Sequence, residues 1–244
     1  GGHIDDPLWR TFWDAAFAIA SILTAILLGA ALGNLVRGVP LGPSGKFSLA
    51  FFTDFRTQGE VGILDWYTVS VAVFTLVCVA AHGASYLVWR TEGDVHDRSL
   101  SLSRKLWRAV FVLLPVITLE TASVRPELFA GMMRRPLAWL AVMLAIAGSM
   151  AVVIGQRRGR ELLALLGGSG FIIGILAAAA ASLFPVMLHS TVDPGYSITA
   201  QAGAVGGPGL GLALWWWPFA LALSLGYFVI VFRQFSGKVR LTPR

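Results

Sequence analysis

The stretch HGASYLVWRTEGDVHDR, His82 to Arg98, decides how the chain reads. Its first half completes an apolar run of the kind that lipid surrounds. Its second half is a polar turn carrying Arg90, Glu92, Asp94, Asp97 and Arg98. His82 stands alone in the apolar part, about 12 Å of helical rise before Arg90. No other span sets so many charges of both signs beside a membrane-type segment, so this junction is the first place to look for chemistry. The plain alternative is a helix end with solvated charges.

Outward from this stretch the chain keeps the same apolar character. Mean hydropathy is +0.73, and 56% of the 244 residues are hydrophobic against 13% charged. Those values point to a polytopic membrane protein. The single Cys78 excludes an intrachain disulfide framework. A net charge of +6 and a pI near 10.1 raise the question of nucleic acid. The basic residues, however, are scattered among short loops flanking apolar segments, so membrane orientation accounts for them and no nucleic-acid partner is expected. The chain opens on Gly1 and Gly2 without an initiator Met, and its first apolar segment is too long and too late for a signal peptide; a fragment or trimmed chain is expected.

A hydrocarbon core about 30 Å thick takes about 20 apolar residues in a helix, whose backbone satisfies its own hydrogen bonds. Six stretches meet that test approximately: residues 12–35, 66–89, 106–123, 136–154, 162–184 and 212–232. The expected fold is therefore all-α, one transmembrane domain over residues 1–244. Trp9, Trp13, Trp66, Tyr67, Tyr86, Trp89, Trp107 and Trp215 to Trp217 mark helix ends, where amphipathic rings prefer the headgroup zone. Of the 19 Lys and Arg residues, thirteen fall in the termini and the loops around Arg90 to Arg108 and Arg157 to Arg160; six fall in the alternate loops. By the positive-inside rule both ends of this chain face the cytoplasm. The outer loop from Arg37 to Asp65 is expected to fold over the surface without forming a domain. The outer loop from Pro185 to Gly211, rich in Gly, reads as flexible, able to cap a partner or line an opening. No internal repeat is evident.

A low-spin haem in a helical bundle usually needs two axial ligands on facing helices. Of His3, His82, His96 and His189, only His82 lies inside an expected span, and Met187 and His189 lie past Pro185 at the opposite membrane end. No haem or metal site of this chain's own is expected. Ionisable groups within spans are costly and mark function by default, which singles out Asp14, His82 and Glu120 as proton-path or interhelical polar candidates. His82 has two readings: a hydrogen-bonded interhelical contact, or proton or quinone handling. Gly29 with Gly33, and Gly170 with Gly174, read as small-residue steps that let helices approach closely. Pro115 is the clearest breaker within a span. Nucleotide-hydrolase, serine-hydrolase and zinc-protease motifs are missing from the sequence.

On these residues the chain resembles subunit II of the cytochrome bd-type quinol oxidases, including the cyanide-insensitive branch. Trp13-Asp14 with GAALGNLVRGVP, Gly29 to Pro40, is similar to the family's first block, and His82 to Arg98 to its second. Phe184-Pro185 with Ser190-Thr191, and then Phe235, Gly237, Lys238 and Val239, make the third. Members carry further opening helices, so the resemblance is to the last six only, and the family's proton-path positions have no counterpart here. The resemblance implies a haem-free accessory subunit beside a haem-bearing subunit I that holds haems b and d. It implies a complex that oxidises quinol, reduces dioxygen to water and takes protons from the cytoplasmic side of the bacterial inner membrane. A quinone or a lipid remains open as a ligand of this chain. Arg90, Glu92 and Arg98 become cytoplasmic motif candidates, with mutual pairing among Arg90, Glu92, Asp97 and Arg98 as the alternative. A transporter or scaffold unrelated to respiration, or a haem-copper oxidase accessory subunit, are the competing readings.

Overall fold

Apolar runs that must close their own backbone hydrogen bonds become helices, and among the described residues six helices are long and apolar enough to cross a membrane. The computed structural model describes residues 7–47, 50–203, 208–234 and 237–238. His3, Gly206, Gly207, Phe235 and Val239 lie outside the described residues. The elements are α1 (Pro7–Arg37), α2 (Trp66–Arg90), α3 (Asp94–Val124), the short α4 (Pro126–Met133), α5 (Pro136–Arg158), α6 (Glu161–Leu183), a hairpin of β1 (Val186–Leu188) and β2 (Ile198–Thr199), and α7 (Pro208–Gln234).

Local chemistry sets the boundaries. Asp65 caps α2 in a capping box with Thr68. Pro126 and Pro136 occupy first-turn positions of α4 and α5, where a missing N–H costs nothing. Gly159 closes α5 in the left-handed region at φ 64°.

Three expectations are corrected. The third span begins at Asp94 and not near Leu106, because Ser99, Ser103, Trp107 and Val110 recur at helical spacing and form one buried stripe. The charged run containing Arg98 is thus the start of α3. Pro115 lies inside α3 without ending it; membrane helices accommodate such a residue when neighbours satisfy the freed backbone group. The described part of the loop after α6 is anchored and not a free flap. Val39 N–H donates to His189 O at 2.9 Å, Thr191 N–H to Val39 O at 3.0 Å, and buried Ser190 Oγ to Leu41 O at 2.9 Å. The loop from Arg37 to Asp65 does fold back on itself, through Ile63 N–H to Ala50 O at 2.8 Å and Leu64 N–H to Phe51 O at 3.0 Å.

Small residues decide which helices meet. A Cβ on Gly29 would lie 2.6 Å from Ala72 Cα, and one on Gly33 2.9 Å from Thr68 Cα, so α1 packs backbone to backbone on α2. The α5–α6 seam is tighter and has a seven-residue repeat on both sides: Gly148 and Gly155 on α5, Gly167 and Gly174 on α6. A Cβ on Gly174 would come within 2.5 Å of Ala145 N, and one on Gly155 within 2.5 Å of Ala164 N. Gly170, by contrast, has its first neighbours at 3.7 and 3.8 Å. Between the pairs lies the core of Phe74, Cys78, Ala81, Trp107, Val110, Ala145, Val152 and Phe171. There Trp107 and Phe171 meet edge to face at 5.6 Å. No residue of α7's most apolar stretch is buried, so that helix stands on the rim of the bundle.

Gly148→Leu or Gly174→Leu is expected to destabilise the bundle by about 3 kcal/mol or more, since the clash is with backbone that cannot rotate away. Gly170→Ala is expected to be nearly neutral. Melting of the purified variants in detergent checks both.

Candidate functional site

Polar groups gather at the two ends of the bundle. At the end where α1 stops, Asn34 and Arg37 lie one turn apart and both are buried. The Arg37 guanidinium pairs with the Asp65 carboxylate, with 1% and 0% of their side chains exposed. It also donates to Gly62 O at 3.0 Å, Gly38 O at 3.1 Å and Asn34 Oδ1 at 2.7 Å. Asn34 Nδ2 in turn donates to Ala30 O at 2.8 Å and Ile63 O at 2.9 Å. The other Asp65 oxygen accepts the Thr68 N–H at 2.8 Å. A buried charge pair persists only with such saturation.

Arg125 extends this cluster. It donates to Val36 O at 3.0 Å and Arg37 O at 3.4 Å, the otherwise orphaned last carbonyls of α1, and pairs with Glu127. His189 sits close by: burial, then the Arg125 charge, push its pKa below the ordinary value, with Glu127 opposing. Burial works against the charge on Glu127, yet its own backbone N–H and Arg125 hold its carboxyl below the usual range. Gly38, at φ 105°, leaves room for His189; a Cβ there would lie 2.9 Å from the ring. Arg37 and Asp65 were not among the sequence candidates, having registered only as charges in a loop. The GNLVRGVP block was the one signal that could have found Arg37.

At the other end His96 lies between Asp97 at 3.0 Å and Glu161 at 2.9 Å, and Glu161 also pairs with Lys238 at 2.7 Å. His96, Arg104, Gln156 and Glu161 rim a pocket of about 90 Å³ that reaches in to Ser85 and Ser103. A hydrogen-bonded row continues from it: Gln156 Nε2 donates to Ser103 Oγ at 3.2 Å, Ser103 and Ser85 share a bond of 3.0 Å, and Trp107 Nε1 donates to Ser85 Oγ at 3.0 Å. His82 is one turn before Ser85. Its Nδ1 is buried without a hydrogen-bond partner, 2.9 Å from where a Cβ on Gly168 would sit, and Trp107 fills the adjoining space. A haem at His82 would need a flat cavity and an opposing ligand there. On the Nδ1 side of the ring Gly168 and Trp107 fill that space.

The remaining sequence candidates do not converge. Asp14 is exposed on α1. Glu120 accepts from Ser70 at 3.3 Å and leaves its second oxygen buried and unbonded; Tyr67 bonds to the next residue, Thr121, at 2.9 Å. Arg90 stacks over Trp89 at 5.2 Å, Glu92 lies in the link between α2 and α3, and Arg98 is exposed on α3. Asp97 turns to His96. Among the described residues no three His, Cys, Asp or Glu side chains cluster as a metal site.

Breaking one side of the buried pair strands the other charge. Arg37→Met or Asp65→Leu should each cost about 3–5 kcal/mol, and the double variant should recover much of that loss; a double-variant melting cycle checks it. His189 and Glu127 both have depressed pKa values in the folded chain, so the unfolded chain binds more protons and stability falls as pH drops. For His189 the loss begins as pH falls through its ordinary value of 6.5 and is complete below the folded value. Wild type is expected to lose more melting temperature between pH 7.5 and 5.5 than His189→Asn does.

Known proteins place this sequence in a family. The family described as cytochrome bd terminal oxidase subunit II matches residues 2–235. The chain is 24% identical to "Probable cytochrome oxidase subunit 2" of Haemophilus influenzae, over 80% of this chain and 57% of that protein. It is 23% identical to "Cytochrome bd ubiquinol oxidase subunit 2" of Bacillus subtilis, over 99% of this chain and 69% of that protein. With "Cytochrome bd-I ubiquinol oxidase subunit 2" of Escherichia coli it shares 29% identity over 39% of this chain and 24% of the relative. The chain thus spans 57% and 69% of the length of the Haemophilus influenzae and Bacillus subtilis relatives. With a match that takes in all six apolar helices and both polar ends, the chain belongs to the cytochrome bd terminal oxidase subunit II family.

Proposed function

We propose that the chain is a haem-free, non-catalytic subunit of a bd-type terminal oxidase complex that oxidises quinol and reduces dioxygen to water. The family match over residues 2–235 carries this reading. The haem-bearing subunit I, with haems b and d, is the partner, and quinol is met at the level of the complex. The haem-free role is supported by the scattered histidines: His96 is engaged by Asp97 and Glu161, His189 by Ser197 at 3.4 Å, and the Nδ1 side of His82 is filled by Gly168 and Trp107. The complex sits in the bacterial inner membrane. The excess of Lys and Arg at the Arg90 end supports a cytoplasmic position for that end and for both ends of the chain.

A part in proton handling is proposed for His82. Its Nδ1 lies beyond the row of hydroxyls that starts at the Arg90 end, where a proton from the cytoplasm would enter. Asp14 and Glu120 do not extend this row, and no role in it is assigned to them.

Purified with a coexpressed haem-bearing subunit, the chain should copurify and the complex should show haem bands in a reduced-minus-oxidised spectrum; purified alone, the chain should show none. Haem bands from the chain alone, or failure to copurify, would sink the assignment. Replacing His82 by Ala in the complex is expected to lower oxygen uptake severalfold while leaving assembly intact. Unchanged uptake would remove His82 from proton handling and leave it as a packing residue.

A further inference from the structure

Four helices contribute polar groups to the small pocket at the Arg90 end of the bundle: Ser85 of α2, His96 and Ser103 of α3, Gln156 of α5 and Glu161 of α6. Its volume is about 90 Å³. A water needs about 10–15 Å³ of such space and two to four polar partners, so the pocket has room and partners for a few. Hydrogen-bond counting shows where one fits, since a hydroxyl donates once and accepts twice. The Ser85 hydroxyl donates to Ala81 O at 3.0 Å and accepts the Trp107 indole N–H. In its 3.0 Å bond with Ser103 it is therefore the acceptor, and Ser103 the donor. Ser103 also accepts from Gln156 Nε2. One lone pair of Ser103 is left for a water in the pocket.

His96 holds the mouth of this pocket. Its Nδ1 lies 3.0 Å from an Asp97 oxygen and its Nε2 2.9 Å from Glu161 Oε1. A carboxylate only accepts, and a neutral imidazole donates from one nitrogen alone. The Lys238 ammonium, 2.7 Å from the other Glu161 oxygen, favours the ionised form of Glu161. Both contacts of the ring are hydrogen bonds when it is an imidazolium. Among the described residues, the charges facing His96 are Asp97 on its own helix, Glu161 on α6 and, opposing them, Lys238 after α7. Arg104 rims the pocket and donates to Gln156 O at 3.3 Å; α2 and α5 line it with uncharged Ser85, Val88, Gly155 and Gln156. We propose that His96 is a proton-loading site, an imidazolium braced by Asp97 and Glu161 that exchanges its proton with water in the pocket below it. One N–H bond breaks, its electron pair stays on the ring nitrogen and the proton passes to water; a proton from outside the bundle restores the ring. This deepens the reading of His82 by naming where protons enter, and it rests on that reading only for the use of the site in the complex.

The test begins with nitrogen NMR of the histidine-labelled full chain in detergent, the His96 signals being those that His96→Asn removes. At pH 7, where a solvated histidine is mostly neutral, both ring nitrogens of His96 should carry protons. Asp97→Asn with Glu161→Gln should turn the ring mostly neutral. A neutral His96 in wild type overturns the proposal even if the variants fail to fold, and so does protonation that survives the double replacement. Ser103→Cys then probes the water: the introduced thiol should react with a small water-borne thiosulfonate about tenfold or more faster than native Cys78, which is buried in the core. Equal rates mean a dry pocket and overturn the exchange. In the complex with the haem-bearing subunit, the ratio of wild-type to His96→Asn oxygen uptake should rise severalfold from pH 6.5 to 8.5, as free protons become scarce. A constant ratio is what a structural loss gives, and it overturns the use of the site in proton entry. If His82→Ala leaves uptake unchanged while His96 is doubly protonated over a wet pocket, the His82 reading fails and the loading site stands.

Discussion

The buried pair of Arg37 and Asp65 is the constraint on which one whole end of the bundle depends. A guanidinium and a carboxylate with almost no exposure are tolerable only when their remaining donors and acceptors are met. Satisfying them draws in the last turn of α1, the cap of α2 and the loop carbonyls of Gly38, Gly62 and Ile63. Arg125 then covers the final carbonyls of α1, which fixes the turn from α3 into α4. Through Val39 and Leu41 the same region holds the segment after α6. Three separate connections are thereby tied at one point, although the net stabilisation from the pair itself is small; its hold lies in the cost of leaving either charge alone.

Glycine plays the matching role along the membrane. In lipid no hydrophobic force drives apolar helices together, so contact area and close approach decide which pairs form. The Gly148, Gly155, Gly167 and Gly174 seam and the Gly29 and Gly33 step select α5 with α6 and α1 with α2. Helix α7 has Leu, Phe, Trp and Tyr on its surface and remains at the rim. The first part of α1, with Phe12, Phe17 and Ile19 exposed, is likewise turned to the outside of the bundle.

Inside the bundle the polar residues fall into separate groups and not one continuous relay. The row from Gln156 through Ser103 and Ser85 to Trp107 is internally satisfied, and His82 Nδ1 stands beyond it without a bond. Glu120 belongs to the opposite end, beside Ser70.

The sequence alone determined the six apolar helices and the family. These follow from segment length, hydropathy and short blocks such as GNLVRGVP, all of which are local. It also pointed to Gly29, Gly33 and Gly174 as packing positions, since close helical contact leaves a mark at fixed spacing. Only the tertiary structure decided that Arg37 and Asp65, 28 residues apart, form a buried pair, that the charged run after Asp94 is helix, and that Asp14, His82 and Glu120 never meet. Those outcomes depend on which faces of distant helices are brought together, and a charge in a loop looks the same in sequence whether it ends in water or against its opposite in the interior.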